Sequence, residues 1–270
     1  MYSGTTLTPI SGVFLGAHQK FDRVARRHVT RLLQPGQHFP AAKQILKFEG
    51  QNGPDGIKRK SPAQNEPWHY MNPFDDTDSQ LTTIIADHHL ALIDALKEKN
   101  DTKAAFEAAW LAHAIVDGLT PAHHFPYEEE LTKLRGGKGI ETRTTIMRKI
   151  IMPGASPTDQ LKNNWKMWGP KGLLSTHGMF EFGIAAIIKP MSFQNYVPNE
   201  AEIAKIVHMG VADYFRLIAR EVAALGLYDS YYASGWTPRL AKQIRLHLAP
   251  MIVQTISLSW YCAILEANKK

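Results

Sequence analysis

The stretch DTKAAFEAAWLAHAIVDGLTPAHHF, Asp101 to Phe125, sets the reading of the whole chain. Its apolar residues recur at helical spacing. Asp101 stands where it can cap a helix from about Thr102, and Gly118, followed by Thr120-Pro121, stops that helix and starts a new turn. On such a helix His113 and Asp117 lie one turn apart on the same face, and the stop at Gly118 and Pro121 swings His123 back toward them.

The same periodicity extends outward in both directions. Alternating β-branched runs bounded by Asn-Gly or Asp-Gly hairpin turns are missing, so the expected architecture is all-α, a single-domain helical bundle. A first helix is expected from about His18 to Leu33, stopping before Pro35, and a short one from Ala41 to Phe48. A loop rich in Gly, Pro, Asn and Lys fills Gly50 to Pro73, and Asp76 or Asp78 can cap a long helix through Glu98. Residues 128–171, punctuated by Gly and Pro around basic helical pieces, read as an inserted arm or lid. Three further helices follow, over Ser175 to Ile188, Glu202 to Leu225 and Thr237 to Ala267. Within the last, Leu246 to Leu265 is apolar enough to consider as a membrane span. Ile252, Ile256, Trp260 and Ile264 recur there with polar residues between, which favours a buried C-terminal helix.

Composition narrows the chemistry. The 270 residues are 44% hydrophobic and 21% charged, which is ordinary globular usage. A single cysteine, Cys262, excludes an intramolecular disulfide and any cysteine-rich zinc site, so a metal would sit on His, Asp or Glu. Twelve histidines are many for this length and point to nitrogen ligands. The net charge of +6 suits an anionic partner. Met1 to Phe21, with Pro9 and Gly12, carries no long apolar core behind a basic start. The expected location is therefore the cytoplasm or the surface of a membrane, unless an unusual export route operates.

Besides His113-x3-Asp117-x5-His123, a second one-turn pair, His177-x3-Glu181, stands on a different helix. A third pair, Asp55 and His69, lies in the loop, and His18 opens the first helix. Imidazole nitrogen and carboxylate oxygen are typical zinc ligands. Singly, each has an ordinary explanation: a helical hydrogen bond for His177 and Glu181, turn chemistry for Asp55 in Gly-Pro-Asp-Gly. Their order and spacing together carry the argument. His88 and His89, adjacent on one helix, cannot both face one site. His124 is the alternative to His123 if the register slips. His28, His38, His208 and His247 read as surface or satisfied core groups, Trp68 and Tyr70 as packing or a pocket wall, and Arg23, Arg26, Arg27 and Arg31 as a solvated helix face.

In this order the eight residues resemble the zinc-dependent phospholipase C and S1/P1 nuclease superfamily, an all-helical fold around up to three zinc ions. The resemblance covers about residues 11–188. It implies that Asp55, His69, His113 and Asp117 hold one zinc, that His123, His177 and Glu181 hold a second, and that His18 and Asp117 help hold a third, with Asp117 bridging two ions. In the bacterial phospholipases the third zinc is also held by the amino group and carbonyl of an N-terminal tryptophan. Here seventeen residues precede His18 and none is Trp, so either another group takes that place or the site is dinuclear. Gly56 stands where choline-selective members have an aromatic residue, and the interval between His123 and His177 is much longer than in those lipases.

Other metal and nucleotide chemistries lack their signatures. The chain has no His-Asp dipeptide, no His-Glu-x-x-His, no Gly-x-x-x-x-Gly-Lys and no Gly-x-Ser-x-Gly. Its one Glu-x-x-His, Glu66 to His69, is interrupted by Pro67. The expected activity is hydrolysis of a phosphodiester, foremost a phospholipid, by metal-activated water. Asp55 would orient or deprotonate the water, and a third zinc near His18, or a cationic side chain such as Lys20 or Lys58, would stabilise the leaving oxygen. The partner would be a phospholipid, with peripheral membrane contact. An S1/P1-type nuclease or 3′-nucleotidase is the alternative enzyme, acting on nucleic acid. A catalytically silent, metal-stabilised protein that binds lipid or nucleic acid is the alternative of another class.

Overall fold

In the computed structural model, which describes residues 1–2, 16–58 and 60–269, the regular elements are all helical. Pro9 and Gly12 lie outside the described residues. Helix α1 spans Ala17–Leu32, and the short helices α2 (Ala42–Ile45) and α3 (Pro54–Lys58) follow. Two longer helices, α4 (Gln80–Lys97) and α5 (Asp101–Gly118), pack along each other. The arm holds α6 (Tyr127–Leu134), α7 (Ile146–Ile150) and α8 (Pro157–Trp168), and α9 (Leu173–Ile188) returns from it. The chain ends with α10 (Glu200–Met209), α11 (Val211–Ala224), α12 (Leu227–Ser234), α13 (Pro238–Gln243) and α14 (Ala249–Ala267).

The core forms where α14 lies against α1, α4 and α5. Ala104, Ala105, Ala108, Ala109 and Ala112 bury one small-residue face of α5, which lets neighbouring helices approach closely. Trp260 of α14 fills the space beside them, and its indole donates to the Ala108 carbonyl at 3.0 Å, so the largest buried side chain leaves no polar atom unpaired. The stretch Pro238–Ala267 is long and apolar enough to cross a membrane, yet 83% of its most apolar window is buried inside the protein. It is the central core helix.

Four local expectations are corrected. The helix expected over Glu202 to Leu225 is two, α10 and α11, broken at Gly210, whose φ of +81° no ordinary helical residue adopts. The one expected over Thr237 to Ala267 is α13 and α14 joined by a π-helical turn, Ile244–Leu248. Pro250 cannot donate to the ladder and its ring crowds the preceding turn, and the widened turn accommodates it. Asn100, not Asp101, caps α5, its side chain accepting from Lys103 N–H at 3.1 Å. Neither Asp76 nor Asp78 caps α4. Asp78 instead accepts from Asn72 N–H at 2.8 Å, and Asp76 pairs with Arg220 at 2.5 Å.

Candidate metal centre

Five separate segments meet at Asp117, which is wholly buried at the end of α5. His18 comes from the first turn of α1, Asp55 from the first turn of α3, and His69 from the extended segment beyond it. His123 lies in a 3₁₀ turn, Pro121–His124, and His177 and Glu181 stand one turn apart on α9. Asp55 thus sits on a one-turn helix where irregular loop was expected.

Local chemistry fixes the approach. Thr120 N–H donates to Asp117 O at 2.9 Å, and its hydroxyl to Val116 O at 2.7 Å, closing the helix end so that the chain doubles back to His123. A Cβ on Gly118 would sit 2.4 Å from Phe215 Cζ and 2.7 Å from Leu81 Cδ2, so only glycine lets α5 end against those side chains. His123 is tied to the His69 segment twice: Met71 N–H donates to His123 O at 3.1 Å, and His123 Nδ1 lies 2.9 Å from His69 O. His124 points the other way, onto Gly118 O at 2.8 Å, so the one-residue register alternative is not adopted.

The Asp117 carboxylate is the hub. His113 Nε2 lies 3.2 Å from Oδ2, His18 Nε2 3.4 Å and His123 Nδ1 3.8 Å from Oδ1, and His69 Nδ1 is in direct contact with Oδ2. Asp55 joins through His113 Nε2 at 3.9 Å. On the other side Glu181 Oε1 lies 2.8 Å from His123 Nε2 and 3.0 Å from His177 Nε2. All eight expected ligands therefore surround one polar cage. Two groups within it offer ligand atoms less than 4.8 Å apart: His18, His113 and Asp117, and His123, His177 and Glu181. The second is the set expected for one ion. The first joins His18 to His113 and Asp117, a different grouping from the one that the resemblance implies.

The Met1 backbone occupies the same cage. Its α-amino group touches Asp117 and lies 3.4 Å from Glu181 Oε1, and its carbonyl lies 2.8 Å from His18 Nε2.

Electrostatics follow from burying three carboxylates together. Burial alone would raise each, but neighbouring cations outweigh it. Lys58, 3.2 Å from Asp55, and then His113 hold Asp55 well below the usual carboxylate range. Met1's amino group, with His123 and His113, depresses Asp117, and the same amine with His177 depresses Glu181. Against its own burial, His113 is pushed up to about 10 by Asp117 and Glu49, whereas burial and then Lys58 take His69 down to about 3. The cage thus holds fixed negative charge and a mixture of charged and neutral imidazoles. His113 Nε2 and His69 Nε2 are buried without a hydrogen-bond partner.

From the cage a cleft of about 380 Å³ opens outward. Trp68, Tyr70 and Tyr127 form an aromatic wall, with Tyr70 and Tyr127 stacked at 5.4 Å, and the arm supplies Arg143, Ile150 and Trp168 at the mouth. Residues of the arm therefore line the entrance. Lys149 clasps it shut on one side, reaching Glu66 at 2.5 Å and Lys58 O at 2.6 Å. Lys20, expected beside a leaving oxygen, instead donates to Lys189 O at 3.1 Å and does not line the cleft.

Three contributors were not read from the sequence. The amine of Met1 is a backbone group that no side-chain pattern reports. Glu49, wholly buried, lies 3.4 Å from His113 Nδ1 and orients the ring from behind. Asp22, one turn after His18, is buried with neither oxygen hydrogen-bonded, and burial together with Glu49 drives its carboxyl well above the usual range. His18-x3-Asp22 has the same spacing as the two pairs that were singled out. Among the bystanders, His28 contacts Phe193 O at 3.0 Å, His38 pairs with Asp101 and His88 with Glu107. Arg26 donates to the Phe39 carbonyl at 2.9 Å, a structural role. No family model, curated protein or solved structure matches the chain.

Proposed function

We propose that the protein is a zinc-dependent phosphodiester hydrolase of the phospholipase C type, acting on phospholipids. The observation that carries this reading is the convergence of His18, Asp55, His69, His113, Asp117, His123, His177 and Glu181 on one buried cage beneath an aromatic cleft. These donors suit zinc. They are nitrogen and carboxylate oxygen only, and His113 Nε2 faces Asp117 at 3.2 Å without a hydrogen bond, as two ligands of one cation would. Asp55, His69, His113 and Asp117 would hold one ion and His123, His177 and Glu181 another. His18, Asp117 and the Met1 backbone are the groups available to a third. Zinc bound there would supply Lewis acidity and hydroxide at neutral pH.

The chain's own groups account for the rest. Asp55, kept ionised, orients the attacking water and takes its proton as the water oxygen bonds to phosphorus and the bond to the glycerol oxygen breaks. Lys58 gives a proton to that leaving oxygen, and its 3.2 Å contact with Asp55 returns the proton to it afterwards. Trp68, Tyr70 and Tyr127 shield the reacting phosphate from bulk water. The products are a diacylglycerol and a phosphorylated headgroup. Gly56 leaves the headgroup without the aromatic face that choline selection uses.

The test is metal analysis of the purified chain, followed by assays on mixed phospholipids and on single-stranded DNA, each with and without chelator. Two or three zinc ions per chain with chelator-sensitive release of diacylglycerol is the expected result. Cleavage of DNA alone would replace this reading with the nuclease, and zinc without turnover of either substrate would leave a silent metal-stabilised protein.

A further inference from the structure

Helix α8 is amphipathic the wrong way round for a soluble protein. Leu161, Trp165 and Trp168 recur at spacings of four and three, so they form one stripe, and they are 72%, 68% and 43% exposed. The asparagines face inward instead. Asn164 donates to Met152 O at 3.0 Å and accepts from Met152 N–H at 3.1 Å, while Asn163 donates to Pro153 O at 2.7 Å. Helix α7 beside it exposes Ile146, Met147 and Ile150, and the Trp168 indole donates to Ile150 O at 2.8 Å, joining the two apolar surfaces into one patch. A contiguous apolar patch of this kind on a water-facing arm marks a docking surface.

The charge around it names the occupant. Residues 133–172 carry nine Lys and Arg against two Asp and Glu, a net +7, while the remainder of the chain sums to −1. The stretch that carries α7 and α8 is therefore strongly basic, although Glu128, Glu129 and Glu130 at the start of α6 reduce the arm over 128–171 to a net +4. Lys162 and Lys166 flank the stripe on α8, and Lys138 and Arg148 share a groove with Met147 and Ile151. A second copy of the chain meeting the same patch about a two-fold axis would set +7 against +7. An anionic lipid surface satisfies both halves of the pattern: apolar side chains and tryptophans enter the headgroup boundary while lysines and arginines meet the phosphates. Ile150 and Trp168 also line the mouth of the cleft, so a bilayer seated on the patch lies at the entrance to the metal cage.

We propose that α7 and α8 form an interfacial anchor that docks the protein on anionic phospholipid membranes with the cleft opening onto the bilayer. Its consequence for turnover rests on the phospholipid reading of the site, whereas docking itself does not.

The experiment is co-sedimentation of the full chain with phosphatidylcholine vesicles, with and without phosphatidylserine, alongside the double variant Leu161→Gln, Trp165→Gln. Both substitutions are at exposed positions away from the cleft, and circular dichroism checks that helicity is kept. Phosphatidylserine should strengthen binding and high salt weaken it, and the double variant should bind about ten-fold more weakly or worse. The variant should hydrolyse a short-chain, monomeric phospholipid at the parental rate while losing activity on vesicles. Equal sedimentation of parent and variant, or no sedimentation of the parent, overturns the anchor. So does loss of single-stranded DNA binding or of self-association in the variant when the parent binds no vesicle. Vesicle binding that the variant loses, with no phospholipid cleaved, supports the anchor and refutes the hydrolase.

Discussion

Replacing Asp117 by Asn tests the cage most directly, because the two side chains have the same shape and differ in the charge that every other group addresses. Asp117 Oδ2 lies 3.2 Å from His113 Nε2, and its other oxygen touches the Met1 amine. In the metal-free protein, raising His113 from 6.5 to about 10 corresponds to about 5 kcal/mol of extra stabilisation of its imidazolium, with Asp117 the foremost attraction and Glu49 the next. Because the folded value lies above the unfolded one, this stability is fully present below pH 6.5 and is lost as the pH rises through 10. The variant forfeits the larger part. In chelator it should be less stable than the parent by about 3 kcal/mol at pH 6, with the gap narrowing toward pH 10. With zinc supplied, it should lose at least one ion per chain and essentially all phosphodiester turnover, while its circular dichroism stays helical. Urea titrations across pH, elemental analysis and the hydrolysis assay read these outcomes. Parental zinc content and full activity in Asp117→Asn would refute the assignment of this residue as the shared ligand.

Two further outcomes follow from the surroundings of the cage. Glu49→Gln removes the carboxylate 3.4 Å behind His113 and should weaken metal binding by about 10- to 100-fold in competition with a chromophoric chelator, and unchanged affinity would mean that Glu49 does not orient the ring. Burial takes His124 down to about 4 while Gly118 O receives its Nε2–H, so the folded state keeps it neutral where the unfolded chain takes up a proton below 6.5. His124 should therefore cost the fold up to about 3 kcal/mol as the pH falls from 6.5 to 4. In chelator, His124→Gln should lose less stability than the parent between pH 7 and pH 5, and identical losses would show that His124 does not contribute.

The sequence was most informative where a helix converts spacing into direction. His113 and Asp117, and His177 and Glu181, face one way because four residues are nearly one turn, and Thr120-Pro121 visibly reverses the chain before His123. The all-helical architecture was legible for the same reason. Asp55 and His69 could be named but not placed, since nothing local says that Gly-Pro-Asp-Gly closes into a helical turn. Glu49 and the Met1 amine could not be named, because each reaches the cage through tertiary approach: Glu49 from 64 positions before His113, and Met1 through a backbone atom. The outward stripe of α8 was hidden by its period, which is the same whether a helix faces the core or the solvent.

The arm rests on its own small apolar cluster, Tyr127, Leu131, Met152 and Met167, apart from the main core under α4, α5 and α14. So few buried contacts give it a lower local unfolding free energy than the scaffold that holds the ligands. Its amides should exchange with solvent sooner than those of α4, α5 and α14. The same independence makes the entrance the part of the chain freest to change by mutation.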